Sequence, residues 1–284
     1  MLTGKAKVAG VIGWPVGHSR SPRLHGYWLE QYGIDGAYVP LPVPPGRLEE
    51  VVRALAVAGF RGANVTIPHK EDAFRACDVV EDSARRAGAV NTLVFEDGRI
   101  IGSNTDGWGF LENLREQVPG WEATAGTVVI LGAGGAARAI AAALLDAGCP
   151  RLVIVNRNTA RAEALATALR RDGEEVGRIS MAAALPLSEA ALLVNTTPLG
   201  MQGQPPLEID LRPLPDTAVV ADIVYVPLDT ALLRAARARG LRVAEGLGML
   251  LHQGRPGFQR WFGVMPAVDT ALRAHVAADI PREG

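Results

Sequence analysis

The sequence predicts an α/β protein of two domains, and three observations carry that prediction. Short apolar runs alternate with helix-like segments along the chain, the pattern of strands joined by crossover helices. The length, 284 residues, exceeds one typical domain and leaves each of two domains enough chain for a core. In the second half, one apolar run opens directly into a glycine-rich turn and an alanine-rich helix, as a doubly wound sheet begins.

Taken in order, the first third reads as strand KVAGVIGW, a helix from about Pro22 to Gln31, strand GAYVPLPV, a helix near Arg47 to Ala58, and strand GANVTIP. This β-α-β-α-β alternation predicts a mostly parallel sheet. In GANVTIPHKE the extended backbone puts Asn64 and Thr66 on one face and Val65 and Ile67 on the other, so one face packs and the other binds. Pro68 ends the strand and Lys70 follows. The first domain ends near SNTDG. Residues 107–118, GWGFLENLREQV, read as a helix leaving it, and a Pro-Gly turn places the boundary within 107–124. A second alternation then runs TVVILG, a helix from Ala136 to Ala147, RLVIVNR, a helix near Thr159 to Arg170, ALLVNTT, AVVADIVY, a helix near Asp229 to Arg239, and LRVAEG. The tail from Met249 holds one more helix, whose spacing does not say which domain it covers.

Composition excludes several classes of function. Twenty-nine Lys and Arg against thirty Asp and Glu give a formal charge of -1, with no basic block to follow a phosphate backbone, so nucleic acid is not an expected partner. No segment reaches the roughly 20 apolar residues of a membrane span, and the chain reads as soluble and cytoplasmic. Cys77 and Cys149 lack the spacing of a zinc site or a disulfide framework and read as core residues. The histidines, His18, His25, His69, His252 and His275, show no metal-ligand spacing, and no metal is expected.

The glycine-rich turn is Gly132-Ala133-Gly134-Gly135-Ala136-Ala137, a GxGxxA pattern between a strand and a helix. Gly132 permits the tight turn, Gly134 lets the backbone approach a pyrophosphate, and the small Ala137 allows close helix-to-strand packing. The helix N-terminus then offers unpaired N–H groups to the phosphates. An NAD-binding domain places an acid at the end of the next strand for the ribose 2′-OH; this chain has Asn156-Arg157-Asn158, with Arg161 one turn on. Guanidinium groups bind a 2′-phosphate that a carboxylate would repel, and the expected cofactor is NADP(H).

In GHSRSPRLHG, Ser19 and Ser21 precede Pro22, a favoured first helical residue. Ser21 is expected as the N-cap, and a helix start flanked by hydroxyls is also a carboxylate-binding site. Asp106, in SNTDG before a helix, is expected to cap it and to stay ionised through bonds from backbone N–H groups. Asn91, in the apolar run AGAVNTLV, needs hydrogen-bond partners from the protein or a ligand. Lys70 read alone is a solvated surface lysine. Next to Asp106 at the mouth of a cleft facing a nicotinamide, it would exchange a proton with a carbon-bound oxygen while hydride moves to or from that carbon. That role calls for partial desolvation of the ammonium, with the carboxylate fixing its position.

Together SRSP from Ser19, ANVTIPHK, AGAVNT, NTDG, GAGGAAR, NR and GLGMLLHQ resemble the shikimate dehydrogenase family over nearly the whole chain. The resemblance implies a substrate-binding and catalytic domain over 1–106, a Rossmann NADP-binding domain over 107–246, and a helical segment over 247–284 that returns to the first domain. The active site would lie in the cleft between the domains. The implied reaction is reversible NADPH-dependent reduction of 3-dehydroshikimate to shikimate, on the route to chorismate and aromatic amino acids. By motif position, Lys70 and Asp106 are the catalytic pair, and Ser19, Ser21, Asn64, Thr66 and Asn91 hold the carboxylate and ring hydroxyls. Tyr225 and Gln253 close over the substrate from the other side. Gly132, Ala133, Gly134, Gly135 and Ala136 hold the pyrophosphate, Asn156, Arg157 and Arg161 the adenosine ribose phosphate. Ile223 and Gly246 lie by the nicotinamide, and Asp82 falls where the family often has an acid near the cofactor. Asn158 departs from the family's frequent threonine, and Thr196 from its frequent alanine. A small-molecule substrate is implied, with the assembly either a monomer or a homodimer. Two alternatives stay open: a quinate/shikimate dehydrogenase with broader substrate or NAD use, and a non-catalytic NADP-binding sensor.

Overall fold

The computed structural model describes residues 2–171, 173–181 and 183–282. The chain divides into two compact units: one runs to Asp106 and resumes over Leu250–Ala278, and the other spans Gly107–Met249 with the residues from Asp279 onward.

The first unit contains, in chain order, β1 (Lys7–Gly13), α1 (Ser21–Gln31), β2 (Gly36–Pro42), α2 (Leu48–Val57), β3 (Gly62–Val65), α3 (Lys70–Ala76), β4 (Val79–Val80), α4 (Asp82–Ala87), β5 (Thr92–Glu96) and β6 (Arg99–Ser103). Its six-stranded sheet has the order β2-β1-β3-β5-β6-β4. The sheet is mostly parallel, as expected, with one strand reversed: β1 runs parallel to β2 and β3 and β4 to β6, but β5 is antiparallel to both β3 and β6. The cause is local. Asp97 and Gly98, both at positive φ, form a two-residue hairpin turn between Glu96 and Arg99. The resulting register aligns Val11, Asn64, Thr92 and Ser103 across four strands at one end of the sheet. The chain segments that leave or enter there, from Thr66, Asn91 and Asn104, therefore converge.

Two expectations change in this unit. β3 stops at Val65, and Ile67, assigned to the packing face, is 74 % exposed in the turn that precedes α3. Ser21 is not the cap of α1: Arg20 holds that position without a side-chain bond, and the Ser21 N–H donates to Ser19 Oγ at 3.3 Å. The core over one face of the sheet joins Ile12, Val65, Leu93 and Ile100 to Leu48, Val52, Ala73 and Ala84 of the helices. Cys77 is half-buried and Cys149 buried, and burial pushes both thiols up, Cys77 to about 12.

The second unit follows α5 (Asp106–Gln117) with β7 (Thr127–Leu131), α6 (Gly135–Asp146), β8 (Arg151–Asn156), α7 (Thr159–Leu169), β9 (Glu175–Ser180), β10 (Ala190–Asn195), β11 (Val219–Asp222), α8 (Ala231–Ala238) and β12 (Arg242–Ala244). Its six strands are all parallel, in the order β12-β11-β10-β7-β8-β9. The order reverses at β7, where a doubly wound sheet opens its ligand crevice. Alternation along the strands sends Val128, Ile130, Leu152, Ile154, Leu192 and Val194 to one apolar layer, and Val129, Leu131, Val153, Val155, Leu193 and Val220 to the other. Both faces are covered, so these strands read as continuous apolar runs. Each such side chain buried contributes about 1.5–3 kcal/mol. The edge strand β9, EVGRIS, has little apolar character, and the sequence pattern does not predict it.

The chain ends in α9 (Leu247–Phe262) and α10 (Thr270–Ala277). From Leu250 these helices belong to the first unit. Trp261 Nε1 donates to the Leu93 carbonyl at 2.9 Å, Trp28 Nε1 to Ala267 at 3.0 Å, and Arg20 to Val276 at 3.0 Å.

Candidate active site

The convergence at the end of the first sheet assembles a buried polar cluster. Lys70 is the first residue of α3, and its backbone carbonyl accepts from Val90 N–H at 2.9 Å, which ties the helix start to the segment entering β5. Its ammonium donates to Asp106 Oδ2, with the lysine side chain 19 % exposed and the aspartate 9 %. The other carboxylate oxygen accepts from Asn91 Nδ2 at 2.7 Å. Asp106 thus receives a cation and an amide, both from side chains, rather than the backbone bonds expected of a capping residue. It is the first residue of α5, and its own N–H is taken by Asn104 Oδ1 at 3.1 Å.

Asn91 is the hub. Its Nδ2 faces Asp106, Thr105 Oγ1 at 3.0 Å and Gln253 Oε1 at 3.3 Å, while its Oδ1 accepts from Thr105 N at 2.8 Å and Thr92 Oγ1 at 2.9 Å. The Thr105 hydroxyl donates onward to the Gln253 carbonyl at 2.9 Å, which brings α9 into the cluster. Asn64 joins from β3: its Nδ2 donates to the Asn91 carbonyl and to Thr92 Oγ1, each at 3.2 Å, and its Oδ1 accepts from Tyr38 at 2.7 Å. A buried network with every member partnered holds its geometry firmly. Thr66 and Ser19 are half-buried, and the Thr66 methyl lies against Gly13, where an added Cβ would come within 2.6 Å. Tyr38, Thr92, Asn104 and Thr105 hold this network together, and nothing in their local sequence marks them as site residues.

In the second unit, Gly132 follows β7 at φ +110°, and a Cβ there would meet Thr196 Oγ1 at 2.6 Å, so both conformation and space require glycine. Gly134 caps α6 in extended conformation with no side-chain bond, and a Cβ on it would meet nothing within 4 Å. The first turn of α6 carries no acid. Open space at an uncapped helix start suits a pyrophosphate, whose charge the helix dipole favours. At the end of β8, Asn156 Nδ2 donates to the Asn158 carbonyl at 2.8 Å, and Asn158 caps α7 by accepting from Arg161 N–H at 3.1 Å. Asn158 therefore does the capping that a threonine would do. Arg157 and Arg161 are exposed, and among the described residues neither forms an ion pair with a carboxylate, so both guanidinium groups can take an anion.

Ile223 and Gly246 meet at the ends of β11 and β12, where a Cβ on Gly246 would lie 2.4 Å from the Ile223 carbonyl oxygen. Asp222, just before Ile223, is buried; it accepts from Asn195 Nδ2 at 2.9 Å, Val224 N at 3.0 Å and Thr230 Oγ1 at 2.7 Å. Burial raises its carboxyl to about 6, with those three bonds opposing. Tyr225, half-buried, belongs to this unit, whereas Gln253 belongs to the first. Asp82 is also in the first unit, fully exposed at the start of α4 and 3.5 Å from Arg85, whereas the rest of the cofactor set lies in the second.

Comparison with known proteins follows the same division. Residues 11–93 match the shikimate dehydrogenase substrate binding domain, residues 114–197 the shikimate / quinate 5-dehydrogenase domain, and residues 246–274 the shikimate 5′-dehydrogenase C-terminal domain. The chain is 61 % identical to a shikimate dehydrogenase (NADP(+)) of Rhodospirillum rubrum over 279 residues, 97 % of this chain and 99 % of that one. Among solved structures it is similar to the shikimate 5-dehydrogenase of Thermus thermophilus in complex with NADP(H) and shikimate (TM-score 0.82, 38 % identity, 96 % and 98 % of the two chains). It is also similar to a quinate dehydrogenase from Corynebacterium glutamicum in complex with NAD (TM-score 0.88, 32 % identity, 96 % and 99 %).

Proposed function

The chain belongs to the shikimate dehydrogenase family, and from that premise we propose that Lys70 and Asp106 are its catalytic pair. The protein is an NADP-dependent oxidoreductase acting on a CH–OH group, a shikimate dehydrogenase of aromatic amino acid biosynthesis that reversibly reduces 3-dehydroshikimate to shikimate. The observation that carries the residue assignment is the ammonium of Lys70 held on Asp106, whose second oxygen is fixed by Asn91.

NADPH supplies the hydride when bound. In the reducing direction Lys70 donates a proton to the substrate carbonyl oxygen as that oxygen becomes a hydroxyl, and in the oxidising direction it takes the proton back. Asp106 holds the ammonium in place and compensates its charge. Ser19, Ser21, Asn64, Thr66, Asn91 and Gln253 are proposed to bind the carboxylate and ring hydroxyls, with Tyr225 completing the set. Gly132 to Ala136 would hold the pyrophosphate, Asn156, Arg157 and Arg161 the 2′-phosphate, and Ile223 and Gly246 would flank the nicotinamide. Asp82, exposed and 3.5 Å from Arg85, is proposed as the acid near the cofactor.

No helix among the described residues is long and apolar enough to cross a membrane. A cytoplasmic enzyme, monomeric or homodimeric, is the setting we infer. Steady-state kcat/KM for shikimate and quinate with NADP+ and NAD+ tests the reading. Preference for shikimate with NADP+ is expected, and preference for quinate with NAD+ would overturn it.

A further inference from the structure

We propose that Tyr38 is a positioning residue for substrate binding: its phenol fixes Asn64 as an obligate acceptor, so that Asn64 selects a ligand O–H. The inference rests on the placement of Asn64 in the substrate site. Tyr38 lies on β2, two strands from Asn64 in the sheet order, and is 7 % exposed. Its hydroxyl donates to Asn64 Oδ1 at 2.7 Å. Its ring is stacked on His25 with centroids 4.0 Å apart and planes within 6°, and lies 6.0 Å from Trp261. The ring therefore cannot swing away from the amide. Burial pushes the phenol well above its ordinary range, with a hydrogen bond from Ser21 opposing, so the group keeps its single proton and gives it to Asn64.

The rest follows from counting donors. An asparagine amide has two N–H donors and two lone pairs on oxygen. Both N–H groups of Asn64 are committed, to the Asn91 carbonyl and to Thr92 Oγ1. The Thr92 hydroxyl spends its own proton on Asn91 Oδ1 at 2.9 Å, so it can only accept from Asn64. One lone pair of Asn64 Oδ1 takes the Tyr38 proton; the His25 ring also faces this amide, but neither of its nitrogens makes a well-formed hydrogen bond, so the second lone pair stays open. What remains on Asn64 can only accept, and a ligand group that meets it must be a hydroxyl that donates, not a carboxylate or carbonyl. The His25 ring on which Tyr38 stacks belongs to α1. Tyr38 thereby links α1 to β3, two elements that both carry proposed substrate ligands.

The test is a double-mutant cycle on the full-length enzyme with Tyr38→Phe, Asn64→Ala and the pair, reading KM for shikimate, KM for NADP+ and kcat. Tyr38→Phe keeps the ring and its stack on His25. Without the phenol the Asn64 amide is no longer held in its accepting orientation and must be ordered again on binding, so KM for shikimate should rise roughly 5- to 100-fold with kcat and KM for NADP+ little changed. In the Asn64→Ala background the Tyr38→Phe effect should largely vanish. Additive effects, or equal losses for both substrates, would overturn the assignment, because a merely structural tyrosine would produce them. A second measurement uses the wild-type enzyme and does not depend on the variants folding. Among shikimate analogues with one ring hydroxyl replaced by fluorine, which accepts but cannot donate, at least one should bind as weakly as the corresponding deoxy analogue. If every fluoro analogue binds as tightly as shikimate, no hydroxyl donates to Asn64 and the inference fails. Turnover of shikimate by the wild type tests the family reading separately.

Discussion

Asp222→Asn should leave the protein at least as stable near pH 7.5 as the native sequence, and the advantage should shrink as the pH falls. Asp222 is 2 % exposed at the end of β11. Burial raises its carboxyl from 3.8 to about 6, against the bonds from Thr230, Val224 and Asn195. A group whose folded value is raised contributes its full stability below the unfolded value and loses it as the pH rises through the folded one. Between 3.8 and about 6 the folded chain therefore binds more protons than the unfolded chain, and by pH 7.5 the ionised carboxylate costs about 3 kcal/mol. Asparagine preserves the geometry: its oxygen can accept from Asn195 Nδ2 and Val224 N, and its amide nitrogen can donate to Thr230 Oγ1 across the present 2.7 Å separation. Charge-assisted bonds are roughly twice as strong as neutral ones, so part of the gain is forfeited and about 1–2 kcal/mol should be left at pH 7.5. Urea unfolding of both proteins by circular dichroism at pH 5, 6, 7 and 8 gives the difference directly. A difference that is the same at pH 5 and pH 8 would refute the reasoning, since an Asp222 that does not titrate in that window cannot carry the cost.

Lys70→Ala should lower kcat by about 10² to 10⁴ with a smaller effect on KM for shikimate, and a variant with native kcat would remove Lys70 from proton transfer. Arg157→Ala should raise KM for NADPH roughly 10- to 100-fold while leaving KM for NADH nearly unchanged, because only NADPH carries the 2′-phosphate; equal weakening would mark a structural arginine. Gly132→Ala must adopt φ +110° and displace Thr196 Oγ1 from its 2.6 Å bond to the Leu131 carbonyl. A loss of about 2–4 kcal/mol is expected, read as a fall in the thermal midpoint, and an unchanged midpoint would show that the turn relaxes freely.

How much of the fold is legible in the sequence depends on which residues carry the pattern. The second unit reads almost directly, because strands covered on both faces are continuous apolar runs and Gly132 to Ala137 punctuate one of them. Its edge strand β9 does not, because an edge needs little burial and EVGRIS has only two large apolar residues to show. In the first unit the antiparallel β5 escaped the alternation argument, although Asp97-Gly98 between two apolar runs is a strong hairpin cue. Ile67 shows the limit of period-two reasoning: alternation assigns a face only while the strand lasts, and β3 ends two residues earlier.

That single antiparallel strand also decides what the sequence says about the site. Few side chains can move a proton or bind a phosphate, so Lys70, Asp106, Arg157 and Arg161 stand out by type and position. The residues that hold them do not, because Tyr38, Thr92 and Thr105 are ordinary strand or turn residues until register places them. Thr92 lies opposite Asn64 only because β5 runs antiparallel to β3, and opposite Ser103 only because the Asp97-Gly98 turn sets the β5–β6 pairing. In a parallel arrangement, Asn91 at the N-terminal end of β5 would lie at the far edge of the sheet from the end of β3, and Asp106 would lose the amide that fixes it. The polarity of one strand therefore brings Asn91 to Asp106, and Asp106 in turn holds the ammonium of Lys70.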